Sequence, residues 1–300
     1  MEKIRMDNHN NKRTKRNLIN FTVLVLGIAV LAGAIELLTV SPGVEPGTAG
    51  LGQPLWLIAP LAVMLLLRIF GGDGWRDLGL RPNFRGNGFW WLVSILVFPV
   101  VITISVLVGA MVGGLKLDVK MSSVFVAALL AGLISALIKN LFEEFAWRGY
   151  LAPKVYSQKK NIWLSHAIVG LVWGTWHLPF VFVFWTYLSV DMLWYFVPLL
   201  LLGTISQSVV YGEIRLATDS VLPAWVMHTI GNTFGNAILL SGFIQLTPGW
   251  ESLISPGVEG AVNIVLMFAA GYWLHQRRRA GHESRHQAGA FNIADNTSKV

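Results

Sequence analysis

The stretch VFVAALLAGLISALIKNLFEEFAWRGY, Val124 to Tyr150, opens on an almost unbroken run of Val, Ala, Leu and Ile and closes on two adjacent glutamates and an arginine. Its first part has the length and apolarity of a membrane-spanning helix, which takes ~20 such residues to cross the hydrocarbon. Its last part breaks that pattern. An ionisable side chain inside a span costs ~3 kcal/mol or more, so Glu143, Glu144 and Arg148 each call for a reason.

The rest of the chain extends the first half of that reading. Of 300 residues, 54% are hydrophobic and 13% charged, and the mean hydropathy is +0.57, outside the balance of soluble domains. The class predicted is all-α, a polytopic membrane protein of about eight transmembrane helices around an intramembrane polar cavity. The candidate spans are 18–40, 53–70, 88–112, 121–142, 161–187, 190–210, 219–243 and 258–276. Placing both termini in the cytoplasm puts twenty of the 23 Lys and Arg residues on that side. Only Lys116 and Lys120 then lie outside, and Lys139 falls within a span, as the positive-inside rule requires. The setting predicted is a multi-pass protein of a prokaryotic plasma membrane.

The formal charge of +7 therefore reads as topology, not as a nucleic-acid surface. Residues 1–17 and 277–300 are polar cytoplasmic tails expected to be mobile, flanking a membrane domain over 18–276. The chain has no cysteine, so disulfides and Cys-ligated zinc are excluded. Gly231 and Gly235, four apart, read as close helix packing.

Three polar groups stand out in the spans. If the fourth helix continues through them, Glu144 and Arg148 pair one turn apart in the favoured order, and Glu143 is rotated by ~100° from that pair. The plain reading is a boundary ion pair with a solvated spare carboxylate; the functional one is a carboxylate kept free to act as a base. His177 follows Trp173 by one turn and precedes Pro179, which frees backbone groups beside a polar cavity; taken alone, such a residue is more often a hydrogen-bonded core histidine than a ligand. His228 and Asn232 share a helix face and read either as interhelical glue or as paired donors. Glu36, Lys139 and Gln207 read as structural, and His166 and His275, near span ends, receive no role.

Together these groups suffice for amide hydrolysis. A carboxylate and a histidine activate water while a second histidine and an amide stabilise the oxyanion. Alternatively, Glu143, His177 and His228 form the His₂Glu set of a catalytic zinc. The residue types serve either chemistry. A non-enzymatic immunity or transport protein would use the same cavity for binding, and a lipid-modifying hydrolase would use similar chemistry on an ester.

The three groups resemble the motifs of the CAAX protease and bacteriocin-processing family, intramembrane endopeptidases related to the type II CAAX prenyl protease. Glu143-Glu144-Phe-Ala-Trp-Arg148 is similar to its Glu-Glu-x-x-x-Arg motif. Trp173-Gly-Thr-Trp-His177 is similar to its aromatic-x-x-x-His motif, with Trp where Phe is commoner, and His228-Thr-Ile-Gly-Asn232 to its His-x-x-x-Asn motif. The resemblance covers roughly residues 121–245. It implies an eight-helix fold with a polar cavity open towards the cytoplasm, where a peptide bond is cleaved near that face. Glu143 and His177 would activate water, His228 and Asn232 would bind the oxyanion, and Glu144, Arg148 and Trp173 would support them. Zinc is one assignment made for the family and a metal-free water mechanism the other. The implied partners are the lipid bilayer and a peptide or protein substrate, prenylated or bacteriocin-like, with no nucleic acid.

Overall fold

The computed structural model describes residues 2–39, 50–159, 161–184 and 190–297. Its elements in chain order are α1 (Glu2–Thr39), α2 (Gly52–Ile69), α3 (Gly88–Met111), β1 (Leu115–Leu117), α4 (Ser122–Ala146), α5 (Ala152–Gln158), α6 (Ile162–Phe184), α7 (Val190–Thr218), α8 (Leu222–Leu240), β2 (Ile244–Leu246), α9 (Glu251–Ile254) and α10 (Ala261–Thr297). The protein is an all-α, multi-pass integral membrane protein.

Six of these helices, α1 to α4, α6 and α7, are long and apolar enough to span a bilayer among the described residues. The other two candidates, at 219–243 and 258–276, do form helices, α8 and α10. His228, Asn232 and Asn236 dilute the apolar character of α8, while α10 reaches Arg277 soon after its apolar start. The eight-span expectation thus resolves into six apolar helices and two more polar ones packed against them, α8 on α4 and α3, α10 on α7. Lipid offers apolar tails as good as any core, so close packing holds such helices together. Gly231 allows it on α8, where a Cβ would meet the Phe98 ring at 2.8 Å. On α6, a Cβ at Gly170 would lie 2.5 Å from Cα of Ile205 in α7.

Several boundaries differ from the sequence reading. α6 passes Pro179 without a break. α7 continues to Thr218, eight residues beyond the end expected at 210, so Glu213 and Arg215 sit in a packed helix and not in a loop. The polar segment ahead of residue 18 is helical from Glu2, and that after 276 is helical to Thr297. Asn17 is buried and donates to the Gly71 carbonyl at 3.0 Å, so the first tail is in part packed. The strands β1 and β2, absent from the expectation, form one antiparallel pair with Lys116 opposite Gln245. Glu36 is structural as read: its carboxylate accepts from the backbone N–H groups of Gly50, Gly52 and Gln53 at 2.6, 2.8 and 3.1 Å. These are donors that the start of α2 leaves without intrahelical partners.

Between α4 and α5 the chain makes one π-helical turn, Trp147–Leu151. Such a wider turn loosens the regular ladder and is common at functional sites. Here two arginines from other helices meet its carbonyls. Arg215 Nε donates to Arg148 O at 3.1 Å, and Arg68 Nη2 donates to Gly149 O at 2.6 Å. The end of α4 is thereby tied to α2 and α7.

Candidate active site

α4 carries Asn140, Glu143 and Glu144 inward, all fully buried, and the π-helical turn that follows carries Arg148, 1% exposed. Asn140, Glu144 and Arg148 recur every fourth residue and share one stripe, and Glu143 stands one step aside. The pair read from that spacing is present: Arg148 Nη1 lies 2.8 Å from Glu144 Oε1. The Arg148 guanidinium lies 4.3 Å from the Trp173 ring centre and 3.9 Å from that of Tyr211, so cation–π attraction on both adds to the ion pair.

The two other motif helices converge on this stripe. From α8, His228 Nδ1 lies 2.8 Å from the same Glu144 Oε1. A carboxylate only accepts, so Nδ1 carries the hydrogen and Nε2 is left for other work. From α6, His177 Nδ1 lies 2.9 Å from the Trp173 carbonyl, which fixes its tautomer in the same way. The Trp173 indole Nε1–H donates to Glu143 Oε2 at 3.1 Å. Its ring sits edge-on to both imidazoles, 5.7 Å from His177 and 5.5 Å from His228. Trp173 therefore touches every arm of the site.

The other oxygen of Glu143, Oε1, is buried without a hydrogen-bond partner from the protein, and Lys139 Nζ approaches it only to 3.9 Å. Buried polar atoms are almost always hydrogen-bonded, so this oxygen, like Glu144 Oε2 beside it, is an exception that calls for a reason. Asn232 donates from Nδ2 to Asn140 Oδ1 at 2.8 Å, and Asn140 Nδ2 is a second buried atom without a protein partner.

The structure thus brings Glu143, Glu144, Arg148, Trp173, His177 and His228 together, with Asn232 beside them through Asn140. Among the described residues no three His, Asp or Glu side chains are arranged to hold a metal ion. The Nδ1 atoms of both histidines are engaged, by Glu144 and the Trp173 carbonyl, which leaves Nε2 of each ring for another partner.

Two site residues escaped the sequence reading. Asn140 was recoverable, one turn before Glu144 on the same face. Tyr211 was not, because the sixth span was ended just before it.

A second buried polar cluster lies apart from these. Glu213, fully buried, accepts from His166 Nε2 at 3.1 Å and His275 Nδ1 at 2.9 Å on Oε1, and from Arg278 Nε at 2.5 Å on Oε2. His166 and His275, given no role from the sequence, and Arg278, assigned to a polar tail, thus join α6, α7 and α10.

The family described as type II CAAX prenyl endopeptidase, Rce1-like, matches residues 122–234, from the start of α4 into α8. All three motifs fall in that segment, so the part of the chain that carries the site is similar to this family. No curated protein matches the chain.

Proposed function

We propose that the protein is an intramembrane endopeptidase that hydrolyses a peptide bond with water activated by Glu143 and His177. One observation carries this reading: a fully buried carboxylate held through one oxygen by Trp173 while the other has no protein partner. Water bound to Glu143 Oε1 and His177 Nε2 attacks the scissile carbonyl carbon and gives up a proton to this pair. The carbonyl π electrons move to oxygen. The oxyanion accepts hydrogen bonds from Asn232 Nδ2, which has a second hydrogen to give, and from His228 Nε2 in the imidazolium form, whose Nδ1–H is held by the Glu144 carboxylate. The C–N bond then breaks as the proton passes to the departing amine, leaving a carboxylic acid and an amine.

Glu144 and Arg148 act on His228 and not on the substrate. Removing either leaves an uncompensated buried charge, a cost of about 3–5 kcal/mol. The uneven Lys and Arg distribution supports a site reached from the cytoplasmic side, with both termini there. The family's description favours peptide substrates, including prenylated ones. The test is cleavage of a peptide panel by the purified parent, Glu143→Ala, His177→Ala and His228→Ala. Loss of turnover in all three is expected, and parent-like turnover in Glu143→Ala defeats the assignment.

A further inference from the structure

Residues 70–87, FGGDGWRDLGLRPNFRGN, join α2 to α3 and sort their charges by sign. Both acids are engaged from within the protein. Asp73 accepts from the Tyr150 hydroxyl at 2.6 Å and lies 3.4 Å from Lys154 Nζ, while Asp77 lies 2.8 Å from Arg68 Nη1 and 3.3 Å from Lys154 Nζ. The arginines Arg76, Arg81 and Arg85 are exposed, and none of them has an ion pair among the described residues. Between them Trp75, Leu80 and Phe84 are 50%, 52% and 63% exposed.

The segment is fastened along its length. Arg215 donates from Nη2 to the Asp77 carbonyl at 2.7 Å and from Nε to that of Arg148, and Arg68 joins the Asp77 carboxylate to the Gly149 carbonyl in the same two-ended way. Further on, Val221 N–H donates to the Gly79 carbonyl at 2.8 Å and Asn83 Nδ2 to that of Thr218 at 2.9 Å. These bonds make the segment one body with the π-helical turn and with the junction of α7 and α8, so its outward side chains stand on a preformed frame.

The edge of the segment shows what it meets. The Phe84 ring lies 4.7 Å from that of Trp91, whose indole N–H donates to the Pro82 carbonyl at 3.1 Å. Trp91 stands in the first turn of α3, and Ile95, one turn on, is exposed along that span. The apolar tips therefore continue the lipid-facing side of α3 to its end, the level at which tryptophan collects in membranes. Large apolar side chains alternating with unpaired cations suit neither water nor hydrocarbon alone. A headgroup layer takes both, acyl carbons against the rings and phosphates against the guanidinium forks. An acidic protein would satisfy the arginines but would not account for the run of the face into the lipid side of α3. We propose that residues 75–85 bind the headgroups of anionic phospholipids, with Arg76, Arg81 and Arg85 on the phosphates and Trp75, Leu80 and Phe84 among the first acyl carbons. A zwitterionic lipid brings its own cation, so each arginine favours the anionic one, by about fivefold at most.

The chain has no cysteine, so Leu80→Cys carries a single fluorophore at a known place. The labelled full chain is reconstituted in phosphatidylcholine nanodiscs that contain acyl-chain spin-labelled phosphatidylglycerol or, at equal mole fraction, spin-labelled phosphatidylcholine. The ratio of the two quenching affinities reads the preference, and because no cleavage is measured the result is independent of the peptidase reading. The parent is expected to prefer phosphatidylglycerol by about tenfold or more, and less so as salt screens the charges. Each single Arg→Gln change lowers the ratio by up to about fivefold, and the triple change brings it to within about twofold of unity. The triple Arg→Lys chain keeps the charges and most of the preference. A thermal melt in detergent checks the fold of each variant, and the single changes carry the test if the triple one unfolds. A parent ratio under about twofold overturns the proposal, as does a ratio that survives the glutamine changes. Absence of quenching by either lipid also overturns it and places the face in water, and a fluorophore that responds to soluble polyglutamate but not to lipid assigns the face to an acidic protein.

Discussion

Glu143 and Glu213 are both fully buried glutamates on helices apolar enough to span a membrane, yet their surroundings differ. Glu213 uses both oxygens, one on His166 and His275 and the other on Arg278. Glu143 accepts one hydrogen bond, from Trp173, and its second oxygen has no protein partner. Burial and charge are therefore not what marks a reactive carboxylate. Saturation separates these two: Glu213 has both oxygens engaged and serves as a joint, while Glu143, like Glu144 with its unpartnered Oε2, is held through one oxygen only.

The largest expected effect that tests this contrast is Glu143→Gln. It should lower the turnover number by about a thousandfold or more while shifting the melting temperature little, because it keeps size and sacrifices no ion pair shorter than 3.9 Å. Next comes Glu213→Ala, which strands two histidines and an arginine. Its cost should be about 3–5 kcal/mol of stability, read from denaturation in detergent, with the folded fraction still turning over. A catalytic collapse without destabilisation would erase the distinction between the two glutamates.

Trp173→Phe sharpens the comparison further, since it removes the N–H that holds Glu143 and keeps an aromatic ring, though a smaller one, beside Arg148 and the two histidines. A drop of about tenfold in turnover at constant KM is expected, the weight of one hydrogen bond to a charged group. An unaltered turnover number would show that Glu143 needs no such holder. The smallest effect belongs to chelation. Incubation with 1,10-phenanthroline should leave the rate within about twofold, and a loss reversed by added zinc would contradict the site as described here.

How much of this was legible in the sequence follows from the range of the interactions. Glu144 and Arg148 lie on one helix, so periodicity alone paired them, and Glu143 fell out as the remainder. The three motifs were readable because each is local to one helix. Glu213 was invisible because its partners His166 and His275 are 47 and 62 residues away, and because hydropathy fades after Val210 although the helix does not. The indole donor of Trp173 was unreadable for a related reason. Periodicity places an aromatic ring on a face, but not its N–H against a carboxylate 30 residues earlier. The β1–β2 pair is too short to show an alternating pattern of its own.

The contact between Asn140 and Asn232 closes the site across 92 residues of chain. Ribosomes add ~5–20 residues each second, so roughly 5–20 s separate the synthesis of the first of these asparagines from that of the second. Until then the base is made but the oxyanion donors are not. On the proposed reading, the protein thus passes through its own biogenesis without a complete site, which is assembled only as α8 docks.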